Sequence, residues 1–216
     1  MNINDIQQKL PATIGINGQD EYFRSVVLLL LIPVEGEYHI VFQKRAADIR
    51  QGGEISFPGG QADKTDTRPQ DTAIRETEEE LGIPAHKIQL LGQLDTVLAP
   101  YGVMVEVFVG FADIQVADMK LNTHEVDYVF TVPLSYFQKQ QPEQYEVKTE
   151  IHPTTTHPET GEEIILFPTK TLNIPTRYHT SWGHYHSKVY VYKVNDEVIW
   201  GITARIVKDF IEKISR

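Results

Sequence analysis

The ten residues SVVLLLLIPV at 25–34 contain no charge, so a strand made from them is apolar on both faces and must be covered on both sides. The run is far short of the ~20 apolar residues that span a bilayer. A second apolar run, YHIVFQKR at 38–45, follows the turn-like EGE at 35–37, and the pair reads as a β-hairpin. A covered hairpin needs helices from elsewhere in the chain, and the remaining sequence supplies them.

Residues 69–81 have helical spacing, with Pro69 in the first turn and Ala73, Ile74, Thr77 and Leu81 on one side. Gly82 ends the helix and Pro84 blocks its continuation. The C-terminal EVIWGITARIVKDFIEKI places Ile199, Ile202, Ile206, Phe210 and Ile214 at three- and four-residue steps, a core-facing helical stripe. Strands are expected at about 88–97, 102–112, 126–132 and 182–194, and a helix at 133–140. A short leading helix at about 3–10 is expected to be capped by Asn4 or Asp5. With 216 residues, 41% of them hydrophobic, the chain reads as a single domain over 1–216, with an insertion at about 141–190. That insertion shows two strand-like runs around a Pro/Gly turn.

Charge narrows the function. The formal net charge is −10 and Lys and Arg form no run, which argues against nucleic acid or a membrane surface as partner. With no cysteine, disulfides and thiolate metal sites are excluded, which fits a reducing compartment. The opening MNINDIQQKL lacks a signal pattern, and a soluble, cytoplasmic protein is expected.

The stretch TAIRETEEELGI at 72–83 crowds four glutamates into barely more than one helical turn. Like charges at this spacing repel by roughly 0.2–0.5 kcal/mol per pair. With Glu76 at 0°, Glu79 falls at about 300° and Glu80 at about 40°, while Glu78 lies at about 200°. Three carboxylates thus share one sector, an arrangement that suits a hard divalent cation such as Mg²⁺ or Mn²⁺. A solvated acidic face is the alternative, and the flanking residues decide between them.

Upstream lie FPGG at 57–60, then Asp63 and Asp66, and eight residues later RETEEELGI at 75–83. This resembles the Nudix box, G-x5-E-x7-R-E-U-x-E-E-x-G-U with U aliphatic. Arg75, Glu76, Glu79, Glu80, Gly82 and Ile83 match, while Thr77 stands at the first aliphatic place, Asp66 replaces the upstream Glu, and the spacing is one residue longer. The coenzyme A pyrophosphatase branch of that family has the same G-G-x-x-D-x-x-D start. It also carries a preceding motif, roughly L-L-T-x-R-S/A-x3-R-x3-G-x3-F-P-G-G, which VFQKRAADIRQGGEISFPGG at 41–60 resembles with one residue fewer after Arg50.

The resemblance implies an α+β fold, a mixed β-sheet sandwiched between helices with a loop–helix–loop metal site. It also implies a metal-dependent hydrolase of nucleoside diphosphate-linked substrates. Coenzyme A would be cleaved to 3′,5′-ADP and 4′-phosphopantetheine; ADP-ribose or another nucleoside diphosphate derivative is the alternative. Glu76 and Glu80, one turn apart, are the leading ligand pair, with Glu79 next and the Gly60 backbone turning beside them. Arg75 would orient these carboxylates. Glu79, Glu76 or the downstream Glu125 would act as base, and Arg45 and Arg50 would contact substrate phosphates. Asp63 and Asp66 read as loop caps. A homodimer is compatible with this picture. A module that senses nucleotides without cleaving them would be expected to lack a box carboxylate, whereas Glu76, Glu79 and Glu80 are all present. Separately, YHTSWGHYH at 178–186 holds His179, His184 and His186, the last two on one face if the segment is a strand. These read as surface or substrate-facing histidines in preference to a transition-metal site, with Tyr178, Trp182 and Tyr185 available to stack on a base.

Overall fold

The computed structural model describes residues 2–13, 15–63 and 66–216. In chain order the elements begin with α1 (Ile3–Lys9), β1 (Phe23–Val34), β2 (Glu37–Arg45), β3 (Ile55–Ser56), β4 (Gly59–Gly60) and α2 (Pro69–Leu81). Next come β5 (Gln89–Gln93), β6 (Val97–Ala99), β7 (Val103–Phe111), β8 (Val126–Pro133) and α3 (Leu134–Lys139). The chain ends with β9 (Glu143–Ile151), β10 (Thr154–Thr156), β11 (Glu163–Ile165), β12 (Trp182–Val194), β13 (Glu197–Trp200) and α4 (Gly201–Ile214).

β1 and β2 form the expected antiparallel hairpin, and β1 runs parallel to β7 on its other side, so the main sheet is mixed. The alternation along β1 explains its unbroken apolar run. Leu29 and Leu31 enter a core with Phe210, Val207 and Ile206 of α4, whereas Val26, Leu28, Leu30 and Ile32 enter a second core with Ala73 and Leu81 of α2. Each face of the strand is therefore buried against a different helix. Burying a Leu side chain fully contributes roughly 1.5–3 kcal/mol, so this one strand carries much of the hydrophobic drive. A smaller sheet, β13–β12–β9, adds Tyr192, Val194 and Ile199 to the α4 side, and β10 and β11 pair only with each other. Among the described residues no helix is long and apolar enough to cross a membrane.

Several expectations are corrected by the coordinates. α1 is capped by Asn2, whose Oδ1 accepts from Asp5 N at 3.0 Å, while Asp5 accepts in return from Asn2 N at 2.9 Å. Asn4 and Asp5 lie within the helix. The strand expected at 88–97 is two strands, β5 with a bulge between Leu90 and Gly92, and β6 starting at Val97; between them Leu94 N still donates to Val107 O of β7 at 2.9 Å. The C-terminal stripe begins later than its spacing suggests. Gly201 adopts a left-handed conformation that ends β13, so Ile199 is a buried strand residue and Ile214, at the other end, is exposed.

α2 buries few apolar groups; its buried residues are Thr72, Ala73, Thr77, Glu80 and Leu81. Thr77 sits where the box pattern has an aliphatic residue, and its hydroxyl donates to Ala73 O at 2.7 Å, so no polar atom is left unsatisfied there. The helix stops at Gly82, whose φ is 66°. Lys120 N and Asn122 N then take the Leu81 and Glu80 carbonyls, both at 2.9 Å, completing the helix end. A Cβ on Gly82 would lie 2.5 Å from Lys120 O. Gly82→Ala should therefore cost about 1–2 kcal/mol or more, from left-handed strain plus that clash, seen as a lower midpoint in urea unfolding.

Candidate metal-binding active site

β4 is short but decisive. Gly59 and Gly60 pair with Val27 and Val26, which pins the glycine turn to the central strand beneath α2. At that point the helix presents Glu76 half-buried and Glu80 buried, while Glu78 and Glu79 are exposed. The wheel geometry thus separates Glu78 correctly, but the sector is not uniform, because its inner side lies under the glycine turn and its outer side does not.

Glu80 is 3% exposed. Its Oε2 accepts from Gly59 N and from Gln43 Nε2, both at 2.9 Å. Arg45 Nη1 stands 4.0 Å from Oε1. Burial pushes the Glu80 acid up to about 7 despite those hydrogen bonds. Burial also raises Glu76, offset in part by Arg75 and reinforced by the charges of Glu79 and Glu125.

Arg75 organises the outer side. Its Nη1 reaches Glu76 at 2.9 Å and Glu79 at 2.8 Å. The rest of the fork, Nε and Nη2, engages Asp66, at 2.9 Å from Nη2 to Oδ2, and Nη2 also donates to Gln61 O at 3.2 Å. Asp66 further accepts from Asp63 N at 2.8 Å and Thr72 Oγ1 at 2.9 Å. Asp66 is the loop cap expected of it, and it also orients the arginine.

The two phosphate-contact candidates separate. Arg45 lies beside Glu80, and the Ala46 N–H donates to Glu125 O at 2.9 Å, which brings the Glu125 loop to the same edge. Arg50 packs on β1: its guanidinium lies 4.5 Å from the Phe23 ring centre, and its carbonyl accepts from Arg45 Nε at 3.2 Å. Gln43 and Ser25, whose hydroxyl donates to Gly60 O at 3.3 Å, were not singled out from sequence. The one signal for Gln43 was a neutral polar residue inside an apolar strand.

Glu76, Glu80 and the Gly60 carbonyl could offer oxygen donors, the kind a hard divalent cation takes. The backbone at Gly60 passes close to this acid: a Cβ there would lie 2.5 Å from Glu76 Oε1, so a side chain at position 60 would push that carboxylate from its place. Two acids made less acidic by burial also favour an added positive charge. Among the described residues no three His, Asp or Glu side chains are already gathered for a metal ion, although Glu76 and Glu79 share the one Arg75 nitrogen.

The histidine segment stays apart from this site. His179 Nε2 is 3.0 Å from Ile174 O, His184 Nδ1 is 2.9 Å from Glu150, and His186 Nδ1 is 3.3 Å from Glu146. Strand β9 supplies an acidic partner to each of the last two, but separate ones. Tyr178 stacks edge-on against Trp182 with ring centres 5.5 Å apart, and Tyr185 is exposed.

The Arg75 guanidinium, with help from Asp63 N–H and Thr72, holds Asp66 well below the usual carboxylate range. A depressed acid stabilises above its unfolded value, about 3.9, and loses that contribution as pH falls through the folded value. Asp66→Asn should thus lower the melting temperature at pH 7, with the gap to wild type closing as both are acidified toward pH 2.

The NUDIX domain family model matches residues 22–155. An uncharacterized Nudix hydrolase, NudL, of Photorhabdus laumondii is 30% identical over 192 residues, covering 88% of this chain and 85% of that protein. Its namesake in Yersinia pestis is 27% identical over 221 residues, covering 99% and 93%. Among solved structures, a MutT/nudix family protein from Enterococcus faecalis is similar at a TM-score of 0.47 and 16% identity, covering 100% of this chain and 71% of that one. The NUDIX domain of Shewanella oneidensis NrtR, complexed with ADP ribose, is similar at a TM-score of 0.44 and 15% identity, covering 65% and 88%. The family match spans more than half of the chain, and the chain accordingly belongs to the Nudix hydrolases, enzymes that act on nucleoside diphosphate-linked substrates.

Proposed function

We propose that this chain hydrolyses the diphosphate linkage of coenzyme A or a close derivative, with Mg²⁺ or Mn²⁺, releasing 3′,5′-ADP and 4′-phosphopantetheine. Nudix hydrolases generally use divalent cations, and Glu76, Glu80 and the Gly60 carbonyl are the groups that would hold them. The observation that carries the substrate reading is the unbroken stretch 41–83, in which the residues resembling the coenzyme A motif run directly into the box. Arg45 from that stretch lies beside buried Glu80, where an anionic diphosphate would need a positive charge.

A bound divalent cation would neutralise the non-bridging oxygens and lower the pKa of a water molecule. This chain's own residues supply the rest. Arg75 fixes the Glu76 carboxylate, Asp66 fixes Arg75, and Arg45 offsets phosphate charge. Water attacks one phosphorus and its proton passes to a carboxylate; the bridging oxygen leaves with the other phosphate. Glu76, Glu79 and Glu125 are the candidate acceptors, and the pH–rate profiles of their single glutamine variants distinguish them.

Glu80→Gln and Glu76→Gln should each lower turnover of coenzyme A at least about 100-fold, with the circular dichroism spectrum unchanged. Chelation should abolish wild-type activity and added Mn²⁺ restore it. Product chromatography over coenzyme A, ADP-ribose, NADH and diadenosine polyphosphates checks the substrate. Cleavage of ADP-ribose without coenzyme A would replace it, and cleavage of none by folded protein would point to a sensing module.

A further inference from the structure

We infer that Gln43 is a positioning residue for Glu80, holding one oxygen of that carboxylate so that the other is presented for divalent-cation binding. This rests on the metal reading above. Position 43 lies on β2 two residues from Val41, which belongs to the α2-side core, and Gln43 itself is 0% exposed. An apolar side chain of similar shape would be the cheaper occupant of such a place.

The amide is used on one side only. Nε2 donates to Glu80 Oε2 at 2.9 Å, and no described residue donates to Oε1. With Glu80 ionised, as it would be when holding a cation, turning the amide over would set its oxygen against a carboxylate oxygen. A buried carbonyl left without a donor is costly, and general core packing gives no reason to bear that cost. Holding Glu80 does. Gly59 N–H takes the same Oε2 at 2.9 Å, so the two donors occupy that oxygen and leave Oε1 on the side of Arg45, 4.0 Å away.

The two donors also come from different elements. One is the glycine turn beside the site and the other is the central sheet, so the carboxylate is fixed from two directions independently of the α2 backbone.

The test uses Mn²⁺ alone as probe, its dissociation constant measured by the electron paramagnetic resonance signal of the free ion. Outer-shell partners of metal ligands typically contribute ten- to a hundredfold in affinity. Gln43→Met, which keeps shape and removes the donor, should weaken Mn²⁺ binding by about that factor, with KM for substrate at saturating metal unchanged. Gln43→Asn, which keeps an amide but withdraws it, should show the same loss and serves if the Met variant does not fold. Phe210→Leu, on the opposite face of the sheet, should lower the melting temperature without weakening Mn²⁺ binding. Folded Gln43 variants that bind Mn²⁺ like wild type, while Glu80→Gln does not, would overturn this inference alone. An equal loss in Phe210→Leu would overturn it too, by showing general destabilisation. Wild-type Mn²⁺ affinity in Glu80→Gln would instead overturn the metal reading beneath it.

Discussion

Removing a carboxylate from water is expensive, and in this protein the side chain of Glu80 is almost wholly removed. Everything around it is arranged to bear that cost. The glycine turn brings an N–H to one oxygen, the central sheet brings an amide to the same oxygen, and α2 must run close above the sheet for both to reach. Most of the helix's buried side chains are polar or small, so these polar ties govern where it lies as much as hydrophobic burial does. The result is an acid near neutrality in its tendency to ionise, held in a place where a cation would be strongly preferred.

Arg75 plays the complementary part at the surface. A guanidinium offers donors in a rigid fork, and here that fork is divided between the box loop, through Asp66 and Gln61, and the helix, through Glu76 and Glu79. A helix residue thereby carries loop geometry into carboxylate orientation. Lysine, a point charge, could not impose both directions at once. The substitution of Asp66 for the longer glutamate of the box pattern is consistent with this, since the shorter acid still bonds two arginine nitrogens and closes its own turn through Asp63 N–H.

Much of this was legible from residues alone. The two-faced burial of β1 followed from its apolar run after Ser25, and the inward side of α2 followed from the spacing of its glutamates. Reading failed where the deciding interaction is non-local or a matter of backbone. The sharing of one Arg75 nitrogen by Glu76 and Glu79 is a matter of side-chain geometry, and the Arg50 guanidinium packs on Phe23, a strand residue far from it in sequence. Ile199 kept the helical spacing of its neighbours while belonging to a strand, because a single left-handed glycine at 201 changes the element without disturbing the count. The acidic partners of His184 and His186 were invisible because they arrive from β9, across a sheet whose register no local pattern announces.

The closure of α2 has a mechanical corollary. Lys120 and Asn122 are bonded to the last turn of the helix, and Glu125 N and Val126 N are both bonded back to Asn122 O. Glu125 therefore hangs from the same anchor that terminates the helix bearing Glu80, on a tether of only a few peptide units. That short connection, with the Ala46 N–H on the Glu125 carbonyl, ties the backbone that carries its carboxylate to the end of the helix. Lengthening that tether by an insertion between 122 and 125 would uncouple the two acids while leaving every residue of the box in place.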